Sequence, residues 1–485
     1  MPPAPLVIIL ALTLAAAFVL LGFSIATLTA DPTPSPEPLP LLTSLGSVDT
    51  VAEMDYLVSL CPMHEAAQWP VITNERELSK TVFNGGPNNP LDPRGLSALA
   101  LSFGQFMDHE IVLSSEDHSR PNMQLAFNEY IDMSITHFAK RLNPVHGRPE
   151  LNASRTPLID ASVVYGDAFS TPEELAAIRS EGDCRLRMSA RGTLLPLDPS
   201  SARPGFAAGD KRNSEQAVLH VMHILFAREH NRLCDVLDLS PATRDWSEED
   251  KFWKAREVLI AKQQHIVYTD WLPAILGSQT HLLDDTPMLH DTPRVAMEFA
   301  VAAGRWHTLV PHKIGEFNLT QLFFTYNMMV QHGPGTVLHA LATSRAAAAD
   351  LFIADDLREF LFGDYGLDLA AINLVRGREI GMGKYTELCE CYSMQADESH
   401  GFEELHLALL AEPLVEGSSL PHSMAVVVAE QYRRLRELDP HFYTRDFESR
   451  FGPALQEEIL GTTLRSLMLL HYPELELPPR SFFVS

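Results

Sequence analysis

The chain has 485 residues, 46% of them hydrophobic and 21% charged, so it can bury a large core and is not a disordered polypeptide. Its formal net charge of −26 opposes nucleic acid and anionic membrane surfaces as partners. The acidic excess is spread along the sequence without a block of like charge, so it names no partner of its own.

The first element is an uncharged stretch, PLVIILALTLAAAFVLLGFSIATLTA, from Pro5 to Ala30. At about 1.5 Å per helical residue it is long enough to cross a bilayer, whereas a signal peptide's apolar core runs about 7–15 residues. The expectation for residues 1–30 is a membrane anchor with the large C-terminal part outside the cytosol, or secretion if cleavage follows a small residue such as Ala30. The first basic residue is Arg76, so flanking charge hardly orients the segment. Residues 31–45 begin with DPTPSPEPLP, a stiff proline spacer.

From Gly46 to Ser485 there is no second linker, internal repeat or low-complexity tract. Helical periodicity dominates in Ser214–Leu237, Glu249–Leu272 and Leu420–Pro440, each reading as an apolar stripe with charged residues opposite. The expected class is mainly α: one large domain, 46–485, behind the anchor and spacer. Of Cys61, Cys184, Cys234, Cys389 and Cys391, one stays unpaired even if two disulfides form, and the Cys389-x-Cys391 pair lacks a second pair to make a zinc site. Asn152-Ala153-Ser154 and Asn318-Leu319-Thr320 are glycosylation acceptors in a eukaryotic secretory route.

Five segments carry candidate chemistry. In FGQFMDHEIV (103–112) a helix puts Gln105 and His109 on one face, Asp108 beside it and Glu110 elsewhere. In TPLIDASVVYG (156–166), Thr156, Leu158, Asp160 and Ser162 are two apart, so an extended loop turns their oxygens, for Leu158 its carbonyl, toward one point. Such hard donors suit calcium, and an Asx-rich turn is the alternative. AGDKRNSE (208–215) opens the long helix that continues into REHNRL; EFAVAAGRWHTLVP spans 298–311 and INLVRGREIG spans 372–381. Taken singly, His307 fits a structural histidine, Arg212 a surface charge and Asn373 a turn residue.

Together and in this order the segments resemble the animal haem peroxidase family, over roughly Tyr56 to Tyr443. The resemblance implies a haem b cofactor, with His109 as distal base, Gln105 as its hydrogen-bonding companion and Arg212 as distal arginine. It implies that Asp108 and Glu215 form esters to the haem, that His307 is the proximal iron ligand, and that Asn373 accepts from the other ring nitrogen of His307. Arg376 and Arg378 are partners for haem propionates or members of structural ion pairs. Thr156, Leu158, Asp160 and Ser162 match a calcium loop, completed by Glu110 where the family has an aspartate. The implied partners are hydrogen peroxide and a small reductant: thiocyanate, iodide, bromide or a phenol.

The chemistry accounts for these residue types. Splitting peroxide needs a neutral imidazole to move a proton between its oxygens, a permanent cation against the developing charge, and an axial donor whose basicity a neighbour sets. The chain also departs from the family pattern. Gln216 stands where a member carries a methionine that makes a sulfonium link. Trp306 and Gly304 stand where halide-oxidising members have glycine and arginine. Tryptophan before the histidine is shared with fatty-acid dioxygenases, but these need a tyrosine three residues before the histidine, and Gly304 cannot form a radical. A non-catalytic adhesion protein is a third reading, for which the retained set of polar residues has no use.

Overall fold

Helix-forming segments flanked by Ser, Asp and Pro start signals account for most of the architecture. In the computed structural model the described residues are 56–485 without 64–74, 84–88, 129, 144–148, 199–204, 290–291 and 362–365. The expected anchor (1–30) and spacer (31–45) lie outside them. No helix among the described residues is long and apolar enough to cross a membrane.

The protein is mainly helical, as its periodicity predicts, and five helices position the site. These are α1 (Ala98–Ile111), α2 (Ala217–Leu239), α3 (Glu248–Ile266), α4 (Leu369–Ile380) and α5 (His422–Leu438). Described strands are only two to four residues long and form small antiparallel sheets, the largest pairing Tyr56–Val58 with Pro149–Asn152 and that with Lys140–Leu142. A capping box between Ser247 and Asp250 starts α3. At its end α3 passes through a π-helical turn, Val267–Trp271, into the short helix Leu272–Leu276. A second π turn, Phe299–Ala303, precedes the His307 segment, and its extra residue lets Gly304 N–H reach back to the Phe299 carbonyl at 2.8 Å.

The charged faces of α2 and α3 reach solvent only in part: Asp235 and Asp238 on α2 and Glu249 on α3 are exposed, while much of each helix is buried. Helix α2 lies in the middle of the fold against α1, α3 and the helices Gly333–Thr343 and Leu464–His471, so His220, His223, Glu229 and His230 are buried. Burial keeps the three histidines neutral, and the charge of Glu229 is compensated by pairing. Lys262 of α3 binds Glu229 and Glu458, and His471 Nε2 lies 2.9 Å from Glu229. Burial opposes ionisation of Glu229, but Lys262, Arg232 and His471 outweigh it and hold the carboxyl well below the usual range.

Disulfides Cys61–Cys391 and Cys184–Cys234 tie the first described strand region and a central loop to the helical body, and Cys389 is left as a buried thiol. The acceptor Asn318 is exposed, whereas Asn152 is half-buried with its Oδ1 fully enclosed.

Replacing Lys262 by Met leaves Glu229 buried without its main cation, and we expect a loss of about 3–5 kcal/mol in chemical denaturation. Because the folded Glu229 pKa lies below its unfolded value, its contribution is complete above about pH 4.3 and is lost as pH falls further. The variant should therefore show a flatter acid limb in stability against pH than the wild type.

Candidate active site

One cavity of about 380 Å³ collects Gln105, Asp108, His109, Arg212, Glu215 and His307 of the predicted residues. That is within the range of small-molecule and cofactor sites. Its walls are largely apolar, including Leu101, Phe138, Val218 and Leu341, and its polar groups come from two sides.

Helix α1 supplies the first side. Gln105, Asp108 and His109 line the cavity, while Glu110 turns away and is buried, as helical spacing requires. His109 Nδ1 lies 2.8 Å from Asp210 Oδ2, and its Nε2 is 4.0 Å from Glu215 Oε2. Asp210 is fully buried; its Oδ1 accepts from the Arg212 backbone N–H and from Arg212 Nε, both at 3.0 Å. Burial opposes its ionisation, but Arg212, His109 and Arg155 together hold the carboxyl well below the usual range. An ionised Asp210 accepts the Nδ1 proton and leaves the Nε2 lone pair of His109 free.

Arg212 also donates to the Val112 and His109 carbonyls, each at 3.1 Å, which stitches it to the end of α1. The sequence places AGDKRNSE at the opening of the long helix. Instead, Asp210 caps a separate 3₁₀ turn, Lys211–Ser214, and α2 begins only at Ala217. Glu215 follows that turn and lines the cavity; burial pushes its carboxyl up, against His109 and Arg212. The Gln216 side-chain amide donates to Gln105 Oε1, so Gln105 presents its own NH₂ elsewhere in the cavity. Asp108 Oδ1 is buried with no hydrogen-bond partner.

The second side follows the π turn. His307 lines the cavity, and the Asn373 side-chain amide on α4 meets its Nδ1 at 2.9 Å. Burial, with Arg305 and His406 nearby, lowers the His307 pKa to about 3, so the ring is neutral and Nε2 is the atom left for a metal. With a metal on Nε2 the other nitrogen keeps its proton, and the Asn373 amide must turn its oxygen toward it.

Arg376 and Arg378 do not line this cavity. Arg376 donates to the Thr136 carbonyl and Glu379, with its guanidinium 3.9 Å from the Phe138 ring centroid, and Arg378 pairs with Glu75 and Glu404. Both are therefore held in structural ion pairs. Arg305 lines the cavity instead, its pKa lowered by burial and raised by Asp108. Asp210, Arg155, Arg305 and the cavity aromatics Trp271 and Tyr432 were missed in the sequence. Only Asp210 left a trace there, as an Asx residue two before Arg212.

The predicted calcium loop is buried. Thr156 Oγ1 accepts from Leu158 N–H, Asp160 Oδ1 from Ser162 N–H and Glu110 Oε2 from Val163 N–H, each at 3.0 Å. Glu110 Oε1 and Ser162 Oγ are buried with no partner. Burial and then Asp160 raise the Glu110 pKa to about 8, and burial raises that of Asp160. Between them Ala161 has φ 59°, a strained value for a residue with a side chain. Two buried carboxyls facing each other beside orphaned oxygens are the surroundings a hard cation satisfies. Gly209 closes against this loop: a Cβ there would lie 2.2 Å from the Ser162 carbonyl oxygen. Arg155 joins loop and site, 2.8 Å from Asp167 and 3.3 Å from Asp210. Elsewhere Cys184, His230 and Cys234 cluster, but the two sulfurs are joined in a disulfide and offer no thiolate.

A family model described as Animal haem peroxidase matches residues 61–407. The chain is 30% identical over 373 residues to chorion peroxidase of Drosophila melanogaster, covering 64% of this chain and 45% of that protein. It is 30% identical over 396 residues to the human peroxidasin homolog, covering 67% and 26%, and 27% identical over 444 residues to mouse myeloperoxidase, covering 73% and 61%. The chain thus spans less than half the length of the first two relatives. Among solved structures, peroxidase A from Dictyostelium discoideum superposes with a TM-score of 0.74 at 19% identity, covering 88% of this chain and 95% of that one. A fatty acid alpha-dioxygenase from Arabidopsis thaliana superposes with the same TM-score, 0.74, at 21% identity, covering 87% and 79%. The fold therefore does not separate a peroxidase from a dioxygenase. The family match over most of the described chain does settle its kinship: the protein belongs to the animal haem peroxidase family.

Proposed function

We propose that the protein is a haem peroxidase that reduces hydrogen peroxide and oxidises thiocyanate, iodide, bromide or phenolic donors. The observation that carries this reading is one cavity shared by an Asp210-oriented His109 and an Asn373-bound, neutral His307. Haem bound through His307 supplies the redox chemistry that peroxide reduction requires. The orphaned Asp108 Oδ1 and the apolar walls fit such a group, and Asp108 and Glu215 are the residues to form its ester links. Arg305, rather than the engaged Arg376, is the cation for a propionate.

Within this site His109 Nε2 takes a proton from one peroxide oxygen and returns it to the other as water leaves, while Asp210 holds the ring and balances its transient charge. Arg212 stabilises the negative charge that develops on the departing oxygen. Gln105, fixed by Gln216, donates to the bound oxidant. Gln216 has no thioether sulfur and adds no fixed positive charge to the macrocycle, so the oxidant is weaker and chloride is a poor donor.

A lipid dioxygenase reading lacks its tyrosine. A side chain at Gly304 would also meet the Phe299 carbonyl oxygen at 2.9 Å and its ring at 3.2 Å. Calcium on Glu110, Thr156, Leu158, Asp160 and Ser162 braces the site through Arg155. Residues 1–30 direct the domain out of the cytosol, as anchor or cleaved leader, and two disulfides suit that oxidising location.

The reading is tested by the absorption spectrum of the purified protein with and without peroxide. We expect a Soret band that peroxide shifts, and a band lost or displaced in His307→Ala; an unchanged spectrum in that variant assigns the axial ligand elsewhere.

His109→Ala should slow the peroxide step by about 10²–10⁴-fold in stopped flow with haem still bound, and Asp210→Asn should reproduce part of that loss. Rates equal to wild type in both would refute the distal assignment.

Chelation should lower the melting temperature and perturb the Soret band, since a ligand of the native state stabilises it. Glu110 takes up a proton below about pH 8 once the cation leaves, so retained calcium measured by metal analysis should decline as pH falls. Carefully prepared protein without calcium would show that the longer glutamate has abolished the site.

A further inference from the structure

The cavity wall includes three oxidisable rings, Trp306, Trp271 and Tyr432. The Trp306 and Trp271 ring centroids are 5.6 Å apart, Trp271 and Tyr432 5.5 Å, and Tyr432 and Tyr268 6.4 Å. The chain contains 5 Trp and 11 Tyr, and these four stand in one unbroken line. It begins beside His307 and runs outward. Trp271 and Tyr432 are almost fully buried, and Trp306 and Tyr268, at the two ends, are each half-buried. The π turn Val267–Trp271 sets this course, because it carries Trp271 into the core and leaves Tyr268 half-buried. Donors are anchored along the line: Trp306 Nε1 to the Ala303 carbonyl at 2.5 Å, Trp271 Nε1 to Ala100 at 3.0 Å and Tyr268 OH to the Tyr432 carbonyl at 2.7 Å. Fixed rings reorganise little when an electron leaves. Flanking Phe103, Phe299 and Phe442 are far harder to oxidise and do not divert the path. Core packing alone explains a buried indole, but it does not call for four oxidisable rings in succession from the cavity to a half-buried tyrosine.

We propose that Trp306, Trp271, Tyr432 and Tyr268 relay electrons inward, making the half-buried ring of Tyr268 a second oxidation site for phenols too large to enter the cavity. The proposal rests on the haem peroxidase reading. Two phenols each give one electron to the relay and one proton to solvent and become phenoxyl radicals. Peroxide is the oxidant: its O–O bond breaks, and with two electrons and two protons it becomes two waters. The relay rings end unchanged, and the two phenoxyl radicals join through a carbon–carbon bond.

The test compares free tyramine with tyramine coupled to dextran, the same phenol small and bulky, using haem-loaded full-length protein and peroxide. Formation of the coupled phenol is read by fluorescence, and a nitroso spin trap with peptide mass spectrometry locates protein radicals. In the wild type we expect both substrates to react and the trap to label Tyr268. In Tyr268→Phe the label should vanish and dextran–tyramine oxidation should fall at least tenfold, with free tyramine within twofold. Tyr432→Phe should lower labelling at Tyr268 as well. Normal tyramine oxidation without a trap adduct at Tyr268, or undiminished dextran–tyramine oxidation in Tyr268→Phe, overturns the relay alone. A haem-loaded wild type that oxidises neither substrate overturns the peroxidase reading and the relay with it.

Discussion

The buried carboxylate of Asp210 is the group on which the site depends. It binds His109 of α1, the backbone and guanidinium of Arg212, and Arg155 of the loop that follows the small sheet. An isolated carboxylate in that position would carry a large desolvation cost. Three cationic or hydrogen-bonding partners offset it, and each comes from a different stretch of chain. Satisfying one charge therefore fixes three segments relative to one another. A buried ionic cluster of this kind adds little net stability compared with apolar packing, but it specifies one geometry.

The proposed calcium loop and the proposed distal base are two parts of that construction. Arg155 touches both Asp167 and Asp210, and Gly209 lets the turn carrying Arg212 approach the Ser162 carbonyl closely. Glu110 Oε2 accepts from Val163 N–H, and the Val163 carbonyl accepts from the N–H of Asp210, whose carboxylate binds His109. On the opposite side the π turns at Val267–Trp271 and Phe299–Ala303 shift the helical register by one residue, which turns Trp271 and Phe299 to the cavity. Gly104 on α1 completes the contact: a Cβ there would lie 3.1 Å from both Trp271 and Trp306. The two sides of the cavity are thereby held at a separation set by packed indoles.

Sequence reading works where chemistry is local. The i, i+4 spacing of Gln105 and His109 put them on one helix face, because that follows from backbone periodicity alone. The mainly helical class was legible for the same reason. The Thr156–Ser162 segment, by contrast, bends and Ala161 turns left-handed, so simple alternation does not describe it. Reading fails where a role depends on partners distant in sequence. For Arg376 the sequence leaves a propionate and an ion pair both open; in the fold the Thr136 carbonyl, distant in sequence, engages it together with Glu379, and Arg305 is the one that lines the cavity.

By itself the sequence determined the mainly helical class and the set of polar residues ordered as in the animal haem peroxidases. Tertiary structure decided which of them meet. Asp210 reaches His109 across 101 residues, and Asn373 reaches His307 across 66. Only the fold could also show that Glu229 of α2 and Lys262 of α3 are buried as a pair, while Asp235 and Asp238 stay exposed. Periodicity records which residues share a face but not what lies against it; burial and partner choice come from the whole packed chain.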